Sequence, residues 1–158
     1  MPDYPIFTPE GFFDFAASIV RDQQANEAAL RSAISRAYYA VFLTTRDSLF
    51  GLDEVLLTKE LRKELVKRFQ GKRRTKREPG SHEIVTFALE EKASRDKSIK
   101  ITLYHQINQL RESRVLADYR LSSQYLLEAG KQSWRDLTIE TVELASQVLP
   151  AVKHLPRY

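Results

Sequence analysis

Apolar residues recur along this chain at intervals of three and four, the spacing that lines up one face of an α-helix. Phe12, Phe15, Ala16, Ile19 and Val20 form the first stripe. Thr8-Pro9-Glu10 precedes it with the marks of a helix start: a capping hydroxyl, a proline at the first helical position and an acid near the positive end. The spacing predicts a helix over about 9–24. Asn26 can cap a second helix, with Leu30, Ala33, Ile34, Ala37, Tyr38 and Val41 as its buried stripe. Its alanines admit close helix–helix approach. It runs to about Leu49, stops at Gly51, and as the longest is the predicted centre of the fold.

A third helix is predicted from near Thr58, with the stripe Leu57, Leu61, Leu65 and Phe69 and an end at Gly71. Pro79 and Gly80 mark the stretch after it as a loop, and Ser81 caps a shorter helix carrying Ile84, Val85, Ala88 and Leu89. Ser98 opens a further long helix with Ile99, Leu103, Ile107, Leu110, Arg114, Ala117 and Leu121 in phase. After a loop near Gly130, Ser133-Trp134-Arg135-Asp136 is similar to a capping box, with Asp in place of Glu. The last stripe is Trp134, Leu137, Thr141, Leu144, Ala145 and Val148, with Pro150 and Pro156 bracketing its end. No β-alternation and no internal repeat interrupts this pattern. The expectation is one all-α domain over 1–158, its core at about 10–150: an up-and-down bundle of four long helices and one or two short ones.

Composition narrows the chemistry. The 158 residues include no cysteine, which excludes disulfides, zinc ribbons, iron–sulfur clusters and thiol catalysis. A reducing, cytoplasmic location is expected. No apolar run approaches the roughly 18 residues of a membrane span, and Met1-Pro2-Asp3-Tyr4 lacks the basic and apolar segments of a secretory signal. Five glycines argue against a glycine-rich nucleotide cradle, and no Glu-x-x-His, Walker loop or Gly-x-Ser-x-Gly elbow is present. His82, His105 and His154 lack metal-ligand spacing. Neither a metal nor a cofactor is expected.

Charge then singles out three constellations. Arg111, Arg114 and Asp118 share one face of the fifth helical segment at i, i+3 and i+7. Arg114 interrupts an apolar stripe, so it needs a partner, and Asp118 stands at i+4. This is either a structural ion pair that fixes helix register or an arginine positioned for phosphate, which its planar fork fits. On the second helix, Arg36, Tyr39, Leu43 and Arg46 lie along one face that can meet the Arg111/Arg114/Asp118 face. Arg36 with Asp118 is the preferred cross-helix pair; the tyrosines can equally fill the core with their hydroxyls at its edge. Finally, the segment 71–80 holds Lys72, Arg73, Arg74, Lys76 and Arg77. These five charges exceed the net +4 of the whole chain, so the remainder is close to neutral. Such a loop attracts phosphate backbones, contacts an acidic partner, is similar to a nuclear-localisation segment, or is simply solvated.

Arg31-Ser-Ala-Ile-Ser-Arg36-Ala-Tyr38-Tyr39-Ala-Val-Phe42, then Gly80-Ser81-His82-Glu83, then Leu110-Arg-Glu-Ser-Arg114-Val-Leu-Ala117-Asp118-Tyr119 resemble the HEPN superfamily (higher eukaryotes and prokaryotes nucleotide-binding domain). The nearest subgroup is that of small prokaryotic stand-alone proteins, and the resemblance covers roughly residues 10–150. It implies a helical bundle that forms a homodimer and acts on RNA. Many such proteins are metal-independent endoribonucleases; others pair with a minimal nucleotidyltransferase as toxin and antitoxin, or serve in phage defence. Catalytic members carry Arg, four to six residues, then His. Here the matching positions hold Leu116, Ala117 and Asp118 counted from Arg111, and Tyr119, Arg120 and Leu121 counted from Arg114.

Three functions therefore stand side by side, the blandest being an interaction module whose only job is dimerisation within a larger complex. As a ribonuclease, Arg114 and Arg111 would stabilise the charge developing on phosphate and Tyr119, or a histidine brought in by folding, would move the proton. A tyrosine, with an ordinary pKa of about 10, is a poor general base near neutrality. As a non-catalytic module, the chain would bind RNA, a nucleotide or a nucleotidyltransferase, with Arg36, Arg114 and Asp118 mainly structural and Tyr39 in the same polar cluster.

Overall fold

The computed structural model describes residues 8–51, 59–120, 122, 124–131 and 133–158. The expected third-helix start at Leu57 and Thr58, the stripe member Leu121 and the opening residues 1–4 lie outside these. The described residues form α1 (Pro9–Arg21), α2 (Glu27–Phe50), α3 (Lys59–Arg73), α4 (Ser81–Arg95), α5 (Ile101–Tyr119), α6 (Gln124–Glu128) and α7 (Trp134–Lys153), with no strand among them. None of these helices is long and apolar enough to cross a membrane.

Side chains close the helix starts as their chemistry predicts. Thr8 Oγ1 accepts the Gly11 N–H, Asn26 Oδ1 accepts Ala29, and Ser133 Oγ accepts Asp136, at 2.9–3.1 Å. Gly51 ends α2 with φ +89°, a conformation suited to glycine.

Some boundaries differ from the periodicity, each for a local reason. α1 stops at Arg21, not 24, because the Asp22 carboxylate takes the Gln24 N–H at 2.9 Å and turns the chain. Its buried face is also rotated: Phe13 packs on the core while Phe15 is 44% exposed. α3 runs through Gly71 to Arg73, so Lys72 and Arg73 are helical and not in the loop. Gly80, not Ser81, holds the cap position of α4, where the Glu83 carboxylate accepts the Gly80 N–H at 3.0 Å. α5 begins at Ile101 because the Ser98 N–H and hydroxyl both bond Asp96 Oδ1, making a turn ahead of the helix. α7 continues past Pro150 to Lys153.

Contacts between helices set their directions. The start of α2 meets the end of α5 through Arg31 and Ala117, and the start of α7 through Leu30 and Thr138. The end of α2 meets the chain beyond α7, where the Tyr158 N–H donates to the Leu49 carbonyl. Hence α5 is antiparallel to α2 and α7 parallel to it. Lys153 on Glu10 and Arg135 on the Asp22 carbonyl set α1 antiparallel to α7. Arg77–Glu83 and Arg68–Glu91 set α3 antiparallel to α4. The helices alternate up and down.

α2 is the hub, packed against α1, α4, α5 and α7. Ala33, Ala37 and Ala40 are fully buried on it, so neighbouring helices approach its backbone closely. The main core joins these alanines to Leu65, Ile84, Phe87, Ile107, Leu110 and Val148; a smaller cluster around Leu30, Ile34, Trp134 and Leu137 closes the end where α5 stops.

Candidate nucleic-acid interface

The α5 stripe carries Arg114 against α2, and the side chain is only 15% exposed. Its Nε lies 2.8 Å from Asp118 Oδ2, an ion pair whose angle departs from hydrogen-bond alignment. A terminal nitrogen donates to the Tyr39 hydroxyl at 3.0 Å and the Tyr119 hydroxyl at 3.2 Å, and the guanidinium sits just over 5 Å from both ring centroids. Ser35 completes the cluster by donating to Asp118 Oδ2 at 3.2 Å. The expected meeting of the α2 and α5 faces is present through Tyr39. The expected Arg36–Asp118 pair is not: Asp118 pairs with Arg114. Ser35 and Tyr39, one turn apart, face α5, whereas Arg36 is exposed and lies over the Phe12 ring of α1 at 5.0 Å. Arg46 turns to Asp47.

Arg31 fixes where this cluster ends. Its Nε and a terminal nitrogen donate to the Ala117 and Arg120 carbonyls, each at 2.8 Å, while its face covers Trp134 at 4.6 Å. The side chain satisfies carbonyls that the last turn of α5 leaves open.

Folding also brings in His82, which the spacing of the charged residues does not reveal. Its ring stacks on Phe42 at 4.1 Å and sits edge-on to Tyr39 at 5.8 Å. Nδ1 lies 2.6 Å from the hydroxyl of fully buried Tyr38. Burial raises the Tyr38 phenol well above its ordinary range, so it keeps its proton. That hydroxyl has no other acceptor among the described residues, so it donates to Nδ1. Burial, and then Arg114 and Arg111, hold His82 below the ordinary histidine range. A neutral ring accepting at Nδ1 carries its own proton on Nε2. His82 is thus a donor rather than a base in this arrangement. The only sequence signal for it is the Gly-Ser-His-Glu segment at the start of α4.

Arg111, one turn before Arg114, has no hydrogen-bond or ion-pair partner among the described residues. It lines a cleft of about 430 Å³ together with Arg73, Arg77, Glu83, Tyr104 and Asn108. Glu83 is already bound by both terminal nitrogens of Arg77, at 2.6 and 2.8 Å. That pairing, with the Gly80 N–H, lowers the Glu83 carboxyl from 4.5 to about 2.

The basic segment is partly neutralised within the fold, two carboxylates meeting three of its five cations. Lys72 and Arg73 both reach Glu90, at 3.3 and 2.6 Å, and Arg77 holds Glu83. Arg74 and Lys76 are exposed and carry no side-chain partner among the described residues. Of the residues read from the sequence, the fold brings Arg114, Tyr119, Tyr39 and Asp118 into one cluster and sets Arg111 beside Arg73 and Arg77. It leaves Arg36 on the α1 side.

The chain matches no family model, no curated protein and no solved structure.

Proposed function

We propose that this chain is an RNA-binding helical domain of the HEPN kind that engages the phosphate backbone at the Arg73/Arg77/Arg111 cleft. Arg111 carries the reading. It is an unpaired guanidinium beside two further arginines, and the acid lining the cleft with it is already committed to Arg77. An unspent planar cation in an electropositive cleft is suited to a phosphodiester oxygen. Arg74 and Lys76 in the bordering loop extend the field. Arg114 serves differently: held by Tyr39, Tyr119 and Asp118, it locks α2 to α5 and keeps Arg111 in place. The motifs shared with HEPN proteins support the reading, and a setting in toxin–antitoxin or phage-defence systems, with a homodimer or a nucleotidyltransferase partner, follows from that resemblance alone. RNA affinity measured against salt for the wild type and Arg111→Gln tests the proposal.

Metal-independent cleavage is the second reading, and His82 is the observation in its favour. Attack of a 2′-hydroxyl on the adjacent phosphorus would expel the 5′-oxygen, which needs a proton. An imidazolium at His82 would supply it from Nε2 and return to the neutral ring, but burial, Arg114 and Arg111 disfavour that charged form, and the 2′-hydroxyl proton needs a separate base. Among the described residues of the cluster the one carboxylate, Asp118, is engaged by Arg114 and Ser35, so no free base stands ready for the 2′-hydroxyl proton, and that places binding ahead of cleavage. Incubating folded protein with labelled single-stranded RNA and tRNA in EDTA separates the two.

A further inference from the structure

Resting on the RNA-binding reading, we infer that Tyr104, Asn108 and Arg111 form a platform on α5 for one unstacked nucleotide, so that the chain selects single strands over duplex. The three residues stand at i, i+4 and i+7, on one helix face and about 10 Å from end to end. All three border both the 430 Å³ arginine cleft and a second cleft of about 740 Å³ on the other side of α5. They form the ridge between the two.

Each member offers what a nucleotide needs. Tyr104 is half-buried; its hydroxyl accepts from Arg73 at 3.4 Å and its ring meets that of His105 at 5.3 Å and 67°, which together orient its aromatic surface. Aromatic faces of this kind stack splayed bases of either ring class. The Asn108 amide has no hydrogen-bond partner among the described residues, leaving a donor and an acceptor for a base edge. Arg111 supplies the phosphate contact. The charges choose the side: the smaller cleft has Arg73, Arg77 and Arg111 around a Glu83 already held by Arg77, whereas the larger exposes Glu112, unpaired among the described residues, beside Arg111 and Arg120. The phosphate therefore lies toward Arg77 and the base over Tyr104. A paired duplex presents neither a free base face nor a free Watson–Crick edge, so this ridge is of no use to it.

Fluorescence anisotropy with labelled oligoadenylate, oligouridylate and a blunt RNA duplex of equal length tests the inference. Single strands should bind tighter than duplex. Tyr104→Ala should weaken single-strand binding about tenfold or more with an unchanged salt slope, while Tyr104→Phe retains it. Asn108→Ala should reduce discrimination between the two homopolymers, which keeps the inference testable if Tyr104→Ala does not fold. Equal affinity for duplex, or wild-type behaviour of both Tyr104→Ala and Asn108→Ala, overturns the platform; if Arg111→Gln still weakens binding in that case, RNA binding stands without it. No RNA binding by folded wild type overturns both.

Discussion

Tyr39 on α2 accepts a hydrogen bond from the Arg114 guanidinium on α5 at 3.0 Å, between residues 75 positions apart in the chain. The same guanidinium pairs with Asp118 and reaches Tyr119. A charge placed in an apolar helix stripe is tolerated because it has a carboxylate beside it, two phenol oxygens to donate to and two aromatic rings around it. Arg114→Ala leaves Asp118 without its ion-pair partner, though Ser35 still donates to it, and leaves two phenols without their donor. With the arginine side chain 15% and the carboxylate 27% exposed, the expected loss is about 2–3 kcal/mol, below that of a fully buried pair. Tyr39→Phe removes only one bond and should cost about 1 kcal/mol. Urea unfolding midpoints check both; an Arg114→Ala protein as stable as wild type would show that the cluster does not lock the helices.

Arg31→Ala should destabilise by about 2 kcal/mol, since two carbonyls at the end of α5 lose charged donors and Trp134 loses its cover. Amide hydrogen exchange should quicken first in the last turn of α5. Uniform exchange across the chain would show that Arg31 is not a local clamp.

His82 makes stability sensitive to mild acid. Its folded pKa lies below the ordinary value of about 6.5, so between the two the unfolded chain binds more protons than the folded one. Stability from this site is full above about pH 6.5 and falls as pH drops through the folded value. His82→Gln keeps an acceptor for Tyr38 without the titration. The wild-type melting temperature should fall between about pH 7 and 5 more steeply than that of the variant. Parallel curves would mean that His82 is not held neutral.

Glu83 acts in a lower window. Its carboxyl is lowered from 4.5 to about 2 by Arg77 and the Gly80 N–H. Its stabilising effect is present above the ordinary carboxyl range and is lost as pH falls through about 2. Glu83→Gln should therefore be less stable than wild type near neutrality, with the gap closing toward pH 2. Melting curves of the two proteins across that range decide it; a constant gap would show that the charge on Glu83 is not what matters.

Much of the fold was legible because helical burial is written at short range. The α2 stripe from Leu30 to Val41 is buried as the spacing predicts, and the i, i+4 placement of Arg114 and Asp118 anticipates their ion pair. Partners from distant segments were not legible. Periodicity places Arg36 near the right face but cannot tell an α1-facing from an α5-facing position one residue away, so Arg36 meets Phe12 while Ser35 meets Asp118. A glycine reads as a stop, yet α3 passes through Gly71, because Lys72 and Arg73 gain Glu90 by staying helical. With Arg77 on Glu83, that pairing sets two carboxylates against three of the five cations, so part of the charge that made the basic segment stand out is offset within the fold. His82 and Tyr38 lie 44 positions apart, and only the packing of α4 on α2 joins them.

The central claim is that Arg111 holds an RNA phosphate. Single-stranded RNA affinity measured over a range of salt concentrations, for wild type and Arg111→Gln, tests it most directly. The account predicts weaker binding by the folded variant and a log–log salt slope shallower by about 0.7, one phosphate contact on a single strand. An unchanged affinity and slope in a folded Arg111→Gln protein would contradict it.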